Sequence, residues 1–255
     1  MKVLRVKGLN IGEGSPKIVV SIVEKNREDI IKKANSLKNM KVDIVEWRID
    51  FYEDVFNIAD VLDTLRELRN SLRDIPILFT FRTKKEGGNK EISMEEYTLL
   101  NKEVANSGNV DFIDIEMFSG DHIVEKNISN IHKAGVLVVG SHHDFDRTPE
   151  KEEIIYRLQK IQDMGADILK VAVMPKDIQD VIKLLDAANE MYTKYADSPL
   201  VAISMGPLGS ISRLAGEVFG SSMTFGSAGE KSAPGQIPLD ELVHFLGIIH
   251  RSMKE

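Results

Sequence analysis

Short apolar runs recur along the chain at intervals of roughly 25 to 35 residues, the length of a strand followed by a helix. Most of them are rich in Val, Ile, Leu and Phe. Such runs are typical of parallel strands that are buried on both faces. The eight runs are 18–22, 42–49, 77–81, 112–117, 136–141, 168–173, 200–204 and 222–225.

The segments between these runs carry apolar residues at helical spacing. Three stripes illustrate this: Ile58, Val61, Leu62, Leu65, Leu68 and Leu72; Ile154, Ile155, Leu158 and Ile161; Ile178, Val181, Ile182 and Leu185. Eight strands alternating with helices predict an α/β fold, a (β/α)8 TIM barrel, as a single domain over residues 1–255. The first sixteen residues predict a short N-terminal β-hairpin that caps the bottom of the barrel.

Composition and charge narrow the function classes. The chain has 255 residues, with 40 acidic against 33 basic side chains and a formal net charge of −7, which argues against a general nucleic-acid binder and a polybasic membrane surface. The absence of cysteine excludes a disulfide, a thiolate nucleophile and a Cys-based metal site. Because the N-terminus lacks the apolar core of a signal peptide and no run reaches membrane-spanning length, we expect a cytoplasmic protein.

One lysine stands inside an apolar run. Lys170 is flanked by Leu169 and Val171 in the segment 166–173. A buried lysine either pairs with a carboxylate or loses its proton more readily, and a neutral amine condenses with ketones and aldehydes. Lys170 is therefore a candidate nucleophile, although a structural ion pair would also explain its position.

Polar side chains lie at the ends of several other runs. They are Glu46 and Arg48, Arg82, Asp114 and Glu116, and His143. Because side chains alternate along a strand, positions i and i+2 share a face, and on a barrel these residues would form a ring around Lys170. Since desolvating so many charges costs stability, the sequence predicts a functional pocket here.

Two further features complete the candidate chemistry. His143 is the candidate general acid and base because imidazole exchanges protons near neutral pH, while His142 should point away from the barrel axis by parity. A glycine-rich turn precedes Arg213, which can hold a carboxylate or phosphate with two hydrogen bonds. Ser232 and Gln236 belong to a Gly/Ser/Pro-rich stretch that we expect to act as a mobile lid over the same anion.

Taken together, these motifs resemble those of the type I 3-dehydroquinate dehydratases, the Schiff-base class of the shikimate pathway. The resemblance covers essentially the whole chain, and the motifs in order are highly specific. They are Val45-Glu-Trp-Arg48, Phe79-Thr-Phe-Arg-Thr83 with Glu86-Gly-Gly88, Asp114-Ile-Glu116, Ser141-His-His-Asp-Phe145, Lys170-Val-Ala, Ser204-Met-Gly206 with Ser212-Arg213, and Ser232-Ala-Pro-Gly-Gln236.

The resemblance implies a mechanism. Lys170 would condense with the C3 ketone of 3-dehydroquinate, and the iminium would acidify the adjacent C2–H. His143 would remove that C2 proton and give a proton to the departing C1 hydroxyl, in a syn elimination. Glu86 matches the carboxylate partner of this histidine.

The resemblance also implies a substrate-binding set. Arg213, Ser232 and Gln236 match groups that bind the substrate carboxylate or close the lid. Glu46, Arg48 and Arg82 match groups that read the ring hydroxyls, and Met205 and Phe225 match the apolar walls. Ser21 and Ala233 complete the set. No metal and no cofactor are implied, and a homodimer is expected.

Three alternatives remain open at this point. A class I aldolase barrel would also form a Schiff base, but it would split the carbon skeleton rather than form a conjugated product. A metal-dependent barrel enzyme could use Glu46, Asp114, Glu116 and His143 as ligands, although two arginines among them would repel a cation. A non-catalytic barrel could use the same ring only to bind an anion.

Overall fold

A barrel of parallel strands forms the centre of the computed structural model, which describes residues 3–254. Its strands are β3 (Lys17–Ile22), β4 (Ile44–Arg48), β5 (Ile77–Thr80), β6 (Phe112–Glu116), β7 (Leu137–Asp144), β8 (Ile168–Val173), β9 (Leu200–Ser204) and β10 (Met223–Ser227). Their order follows the chain from β3 to β9, and β10 pairs with β3 on the other side. The barrel closes where the Ser222 N–H donates to the Leu200 carbonyl at 2.7 Å. The (β/α)8 prediction is confirmed.

Helices surround this barrel. They are α1 (Arg27–Leu37), α2 (Ile58–Leu72), α3 (Met94–Asn106), α4 (Asp121–Lys133), α5 (Lys151–Asp163), α6 (Ile178–Glu190), α7 (Ser210–Leu214), α8 (Gly216–Phe219) and α9 (Leu239–Ser252). Short 3-10 turns lie at Ile49–Phe51 and Lys84–Glu86, and a π turn at Met191–Tyr195. The side chains of Asn26, Asn57 and Asp177 accept backbone N–H groups at the starts of α1, α2 and α6, which fixes where these helices begin.

One predicted helical stripe is partly wrong. On α6, Val181 is buried, but Ile178 and Ile182 are 55% and 52% exposed. The buried face continues instead through Leu184 and two alanines, Ala187 and Ala188. The larger isoleucines suggested an inward face, whereas small alanines allow the helix to pack close to the barrel.

The lower half of the barrel interior is apolar. Its inward residues are Val19, Ile44, Leu78, Phe112, Val139, Ile168, Val201 and Met223. The predicted N-terminal hairpin is present as β1 (Leu4–Val6) and β2 (Leu9–Ile11), and Leu4 and Ile11 pack against this same cluster. The hairpin therefore closes the bottom of the barrel, and the polar layer of the barrel interior lies at the opposite end.

β7 is longer than the sequence predicts, and this extension positions the site. The apolar run ends at residue 141, but the strand continues to Asp144 and carries His142 and His143. β6 ends at Glu116, so it offers β7 no partner at His143. The Glu86 carboxylate takes that place, because its Oε2 accepts the His143 N–H at 3.0 Å. A side chain from the turn after β5 thus satisfies a strand edge.

The sequence predicts one domain over residues 1–255, of which 1, 2 and 255 lie outside the described residues. We infer that residues 3–254 form one domain, because the barrel strands share one sheet and its interior. One cooperative loss of tertiary structure in urea, followed by near-ultraviolet circular dichroism and tryptophan fluorescence together, is the expected outcome. Two separate transitions would contradict this inference.

None of the helices found between residues 3 and 254 combines the length and apolarity that a bilayer crossing requires.

Candidate active site

A cavity of about 520 Å³, including its mouth, opens at the carboxyl ends of the barrel strands. Its lining consists of Glu46, Arg48, Arg82, Glu86, Gly87, His143, Phe145, Lys170, Ala172, Ile203, Met205, Arg213, Phe225, Ser232, Ala233 and Gln236. Twelve of the thirteen residues predicted for the site lie in this lining. The thirteenth, Ser21, lies next to it and contacts Glu46 and Ser232.

Arg82 holds a buried cluster of carboxylates. Its guanidinium lies 2.7 Å from Asp114 Oδ1 and 3.0 Å from Glu116 Oε1. Burial would raise the pKa of Asp114, but the charges of Arg82 and Lys170 lower it well below its usual range. Asp114 therefore stays ionised. Asp114 and Glu116 bind the Arg82 guanidinium. They are therefore not available as metal ligands, as the metal-dependent alternative would require.

Lys170 lies at the floor of the cavity. Its side chain is 5% exposed, with Nζ 3.2 Å from Asp114 Oδ2. Nζ is also 4.7 Å from the centre of the Phe225 ring. Asp114 divides its oxygens between Arg82 and Lys170 and accepts a further hydrogen bond of 2.6 Å from Ser141. The amine is thus held by one shared carboxylate and one aromatic face.

His143 is fixed by Glu86 at the side of the cavity. The ring Nδ1 lies 3.0 Å from Glu86 Oε2. Because a carboxylate only accepts, Nδ1 carries the proton and Nε2 keeps a free electron pair. Burial and, to a smaller extent, the Arg82 charge lower the pKa of His143, whereas Glu86 raises it. The resulting pKa is about 3. Burial alone would raise the pKa of Glu86, but hydrogen bonds from His142 and His143 bring it to about 2.

Glu46 and Arg48 form the wall next to this pair. Arg48 makes two parallel hydrogen bonds to the fully buried Asp50, at 2.8 and 2.9 Å. Glu46 accepts from Ser21 and, at 2.9 Å, from Thr80. Sequence reasoning missed Asp50, because it lies in the 3-10 turn after β4, where strand alternation no longer predicts which way a side chain points. Asp50 aims the Arg48 guanidinium at the cavity.

Arg213 is a buried cation that pairs with no carboxylate between residues 3 and 254. It is 1% exposed, and its guanidinium donates only to the backbone carbonyls of Pro234, at 3.0 Å, and Phe225, at 3.4 Å. Its Nε has no partner. Burial lowers the pKa of Arg213 to about 10, so the group stays charged at neutral pH. Such a charge is costly unless an anion joins it.

The loop between β10 and β11 (Ile237–Pro238) covers the cavity. Ser232 Oγ donates to Ser21 Oγ at 2.9 Å, and the Gln236 side chain exchanges two hydrogen bonds of 2.9 Å with Ser232. Gly235 has φ +76° and lies against Gly206, where a Cβ would approach the Gly206 carbonyl oxygen to 2.2 Å. The loop is seated in a closed position that only glycine permits here.

Phe145 and Gly87 also line the cavity. Both stand in the motifs that carry the family resemblance, but neither was predicted as a site residue. A Cβ on Gly87 would lie 2.3 Å from the Phe145 ring, so the two residues meet closely. The contact joins distant loops, and no periodicity signals it. His142, which parity places on the outward face, does not line the cavity, yet its ring contacts Glu86.

We predict that the His143 ring is neutral across the whole neutral range. The unfolded chain binds a proton there near pH 6.5, whereas the folded protein binds it only near pH 3, so this group's contribution to stability is lost as the pH falls through that window. ¹⁵N NMR of histidine-labelled protein checks the ring directly, with His143→Gln identifying the signal. A titration midpoint at or above 6.5 in the free protein would contradict the prediction.

Comparison with known proteins places this site in a family. The family model for type I 3-dehydroquinase matches residues 18–253. A 3-dehydroquinate dehydratase of Clostridioides difficile strain 630 is 52% identical over 250 residues, covering 98% of both chains. One from Bacillus subtilis strain 168 is 48% identical over 254 residues, covering 100% of both.

The fold agrees with a solved structure. The crystal structure of a type I 3-dehydroquinate dehydratase from Clostridium difficile with covalently modified comenic acid matches with a TM-score of 0.96 and 52% identity. The match covers 98% of this chain and 99% of that one. With the family model spanning nearly all of the chain, the protein belongs to the type I 3-dehydroquinase family.

Proposed function

We propose that this chain, a 3-dehydroquinate dehydratase of the shikimate pathway by family, eliminates water through a Schiff base on Lys170, with His143 as general acid and base. The observation that carries the proposal is the buried Lys170 amine, placed in one cavity with a histidine whose Nε2 is unprotonated. The aldolase and anion-binding alternatives lose their support with the family assignment.

The first step is carbonyl condensation. The Lys170 amine adds to the C3 ketone, and loss of the carbonyl oxygen as water gives an iminium. His143 relays the protons of this step, since its Nε2 can accept and return a proton. The C. difficile crystal structure contains covalently modified comenic acid.

The second step is the elimination. His143 Nε2 takes the C2 proton, and the C2–H electron pair moves into the iminium to give an enamine. The electrons then return, the C1–O bond breaks, and His143 gives its proton to the departing hydroxyl. Glu86 stabilises the imidazolium that exists between these two transfers, and hydrolysis of the imine releases 3-dehydroshikimate and free Lys170.

Arg213 supplies the anchor for the substrate carboxylate. Its guanidinium is buried with no carboxylate partner in the described chain, so a bound carboxylate gains a charge-assisted contact that water cannot screen. Ser232 and Gln236 lie in the closed loop on the same side. Glu46, Arg48 and Arg82 offer polar groups for the ring hydroxyls, and Met205 and Phe225 offer apolar walls.

We also propose a cytoplasmic homodimer. Exposed apolar side chains on and next to α6, α7 and α8 would suit such a contact: Ile178, Ile182, Leu208, Ile211 and Val218. Ile182→Asp is expected to convert dimer to monomer in sedimentation velocity, while Leu99→Asp, on α3 and 47% exposed, leaves the dimer intact. A wild-type monomer, or a dimer unchanged by Ile182→Asp, would exclude this interface.

The proposed nucleophile Lys170 can be tested by chemical trapping. Borohydride should inactivate the wild type only in the presence of 3-dehydroquinate, adding the mass of the reduced ligand to the peptide that contains Lys170. Lys170→Ala should bind substrate yet lose nearly all turnover, measured by the ultraviolet absorbance of the conjugated product. The control Lys160→Ala removes a partly exposed lysine and should trap and turn over normally. Label on another lysine would refute the assignment.

The proposed carboxylate anchor Arg213 can be tested by binding and unfolding measurements. Replacing it with leucine should weaken substrate binding by roughly thirtyfold or more, since losing one partner of a buried charge pair costs about 2 to 5 kcal/mol. The free energy of unfolding should not fall, because the free protein loses an uncompensated buried charge. Calorimetric titration of Lys170→Ala/Arg213→Leu and urea unfolding measure the two effects, with the exposed Arg66→Leu as control. Unchanged affinity would remove Arg213 from the site.

A further inference from the structure

Glu86 holds two successive histidines, one with each carboxylate oxygen. Oε2 lies 3.0 Å from His143 Nδ1, and Oε1 lies 3.3 Å from His142 Nδ1. Consecutive strand residues point to opposite faces, so a side chain on one face could not reach both. Glu86 reaches both because its carboxylate occupies the open edge of β7 beyond the end of β6.

The His142 ring is held from its other side by Phe118. The two ring centres are 4.7 Å apart with an interplanar angle of 58°. The cations of Lys160 and Arg157 lie over the same Phe118 ring, at 5.4 and 6.0 Å, so they are separated from His142 by an aromatic layer. The His142 side chain is 16% exposed.

The contact with Glu86 defines a single hydrogen-bond direction. Glu86 is ionised, with a pKa of about 2, and an ionised carboxylate only accepts. His142 Nδ1 must therefore carry the proton and donate it. Glu86 Oε2 receives the backbone N–H and Nδ1–H of His143, with Arg82 3.5 Å away. Among residues 3–254, Oε1 has His142 alone to fix the rotation of the carboxylate.

We propose that His142 is a positioning residue for proton transfer: its Nδ1–H fixes the Glu86 carboxylate, which in turn aims His143 Nε2 at the substrate. The inference rests on the function proposed above for Lys170 and His143. Carboxylate torsions are broad, so a carboxylate without its second anchor can turn and take the His143 ring with it. A misplacement of about 1 Å at a reacting atom can cost on the order of a hundredfold in rate.

His142→Leu and His142→Asn test the proposal as a matched pair. Leucine keeps apolar bulk without a donor, whereas the asparagine amide nitrogen can occupy nearly the place of Nδ1. For His142→Leu we expect kcat to fall by roughly ten- to a hundredfold, with KM within about twofold because His142 does not line the cavity. Borohydride trapping at Lys170 should remain at the wild-type extent. His142→Asn should recover kcat to within about threefold of the wild type.

Three outcomes would overturn the proposal: a wild-type kcat in His142→Leu, an equally low kcat in both variants, or a raised KM at unchanged kcat. If His142→Leu fails to fold, ¹⁵N shifts of the labelled wild type show which ring nitrogen of His142 carries the proton. A proton on Nδ1 supports the proposal, and a proton on Nε2 contradicts it. Failure of the underlying function is distinguishable, because it would abolish trapping in the wild type itself.

Discussion

The site depends on one buried cation. Arg82 is 3% exposed and contacts Asp114, Glu116 and Glu86, together with Ser141. Burial raises the pKa of all three carboxylates and the Arg82 charge lowers it; the pKa falls below its ordinary value for Asp114 and Glu86, whereas burial keeps that of Glu116 raised. Burial would lower the pKa of Arg82, but these carboxylates raise it above its ordinary value, so the charge is permanent.

This cation also links the two groups that carry the chemistry. Through Asp114 it shares the carboxylate that holds Lys170, and its charge helps to keep His143 neutral. A neutral base beside a buried amine is what carbonyl condensation followed by proton abstraction requires. The barrel makes the arrangement rigid, because a polar layer stands directly on an apolar one. Arg213, across the cavity, is the one guanidinium of this lining without a carboxylate partner among residues 3–254, which suits an incoming anion.

The sequence predicted the barrel because apolar runs recur at regular intervals. It predicted much of the site because charged residues interrupt those runs. Lys170 stands out inside an apolar strand, and Glu46 and Arg48 share a face near the end of another. Other features depend on three-dimensional facts that no pattern carries. Glu86 was predicted only from the family resemblance. Its role depends on β7 extending beyond the end of β6 and on a short 3-10 turn, which has no sequence periodicity. The inward face of α6 was partly misjudged, because Val181 is continued by Leu184 and two alanines rather than by Ile178 and Ile182.

The most direct test of the account is a crystal structure of the borohydride-reduced complex with 3-dehydroquinate. We expect continuous density from Lys170 Nζ to C3 of the ligand, with the ligand carboxylate on Arg213 and its C2 facing His143 Nε2. A ligand bonded to another side chain, or one with its carboxylate turned away from Arg213, would contradict it.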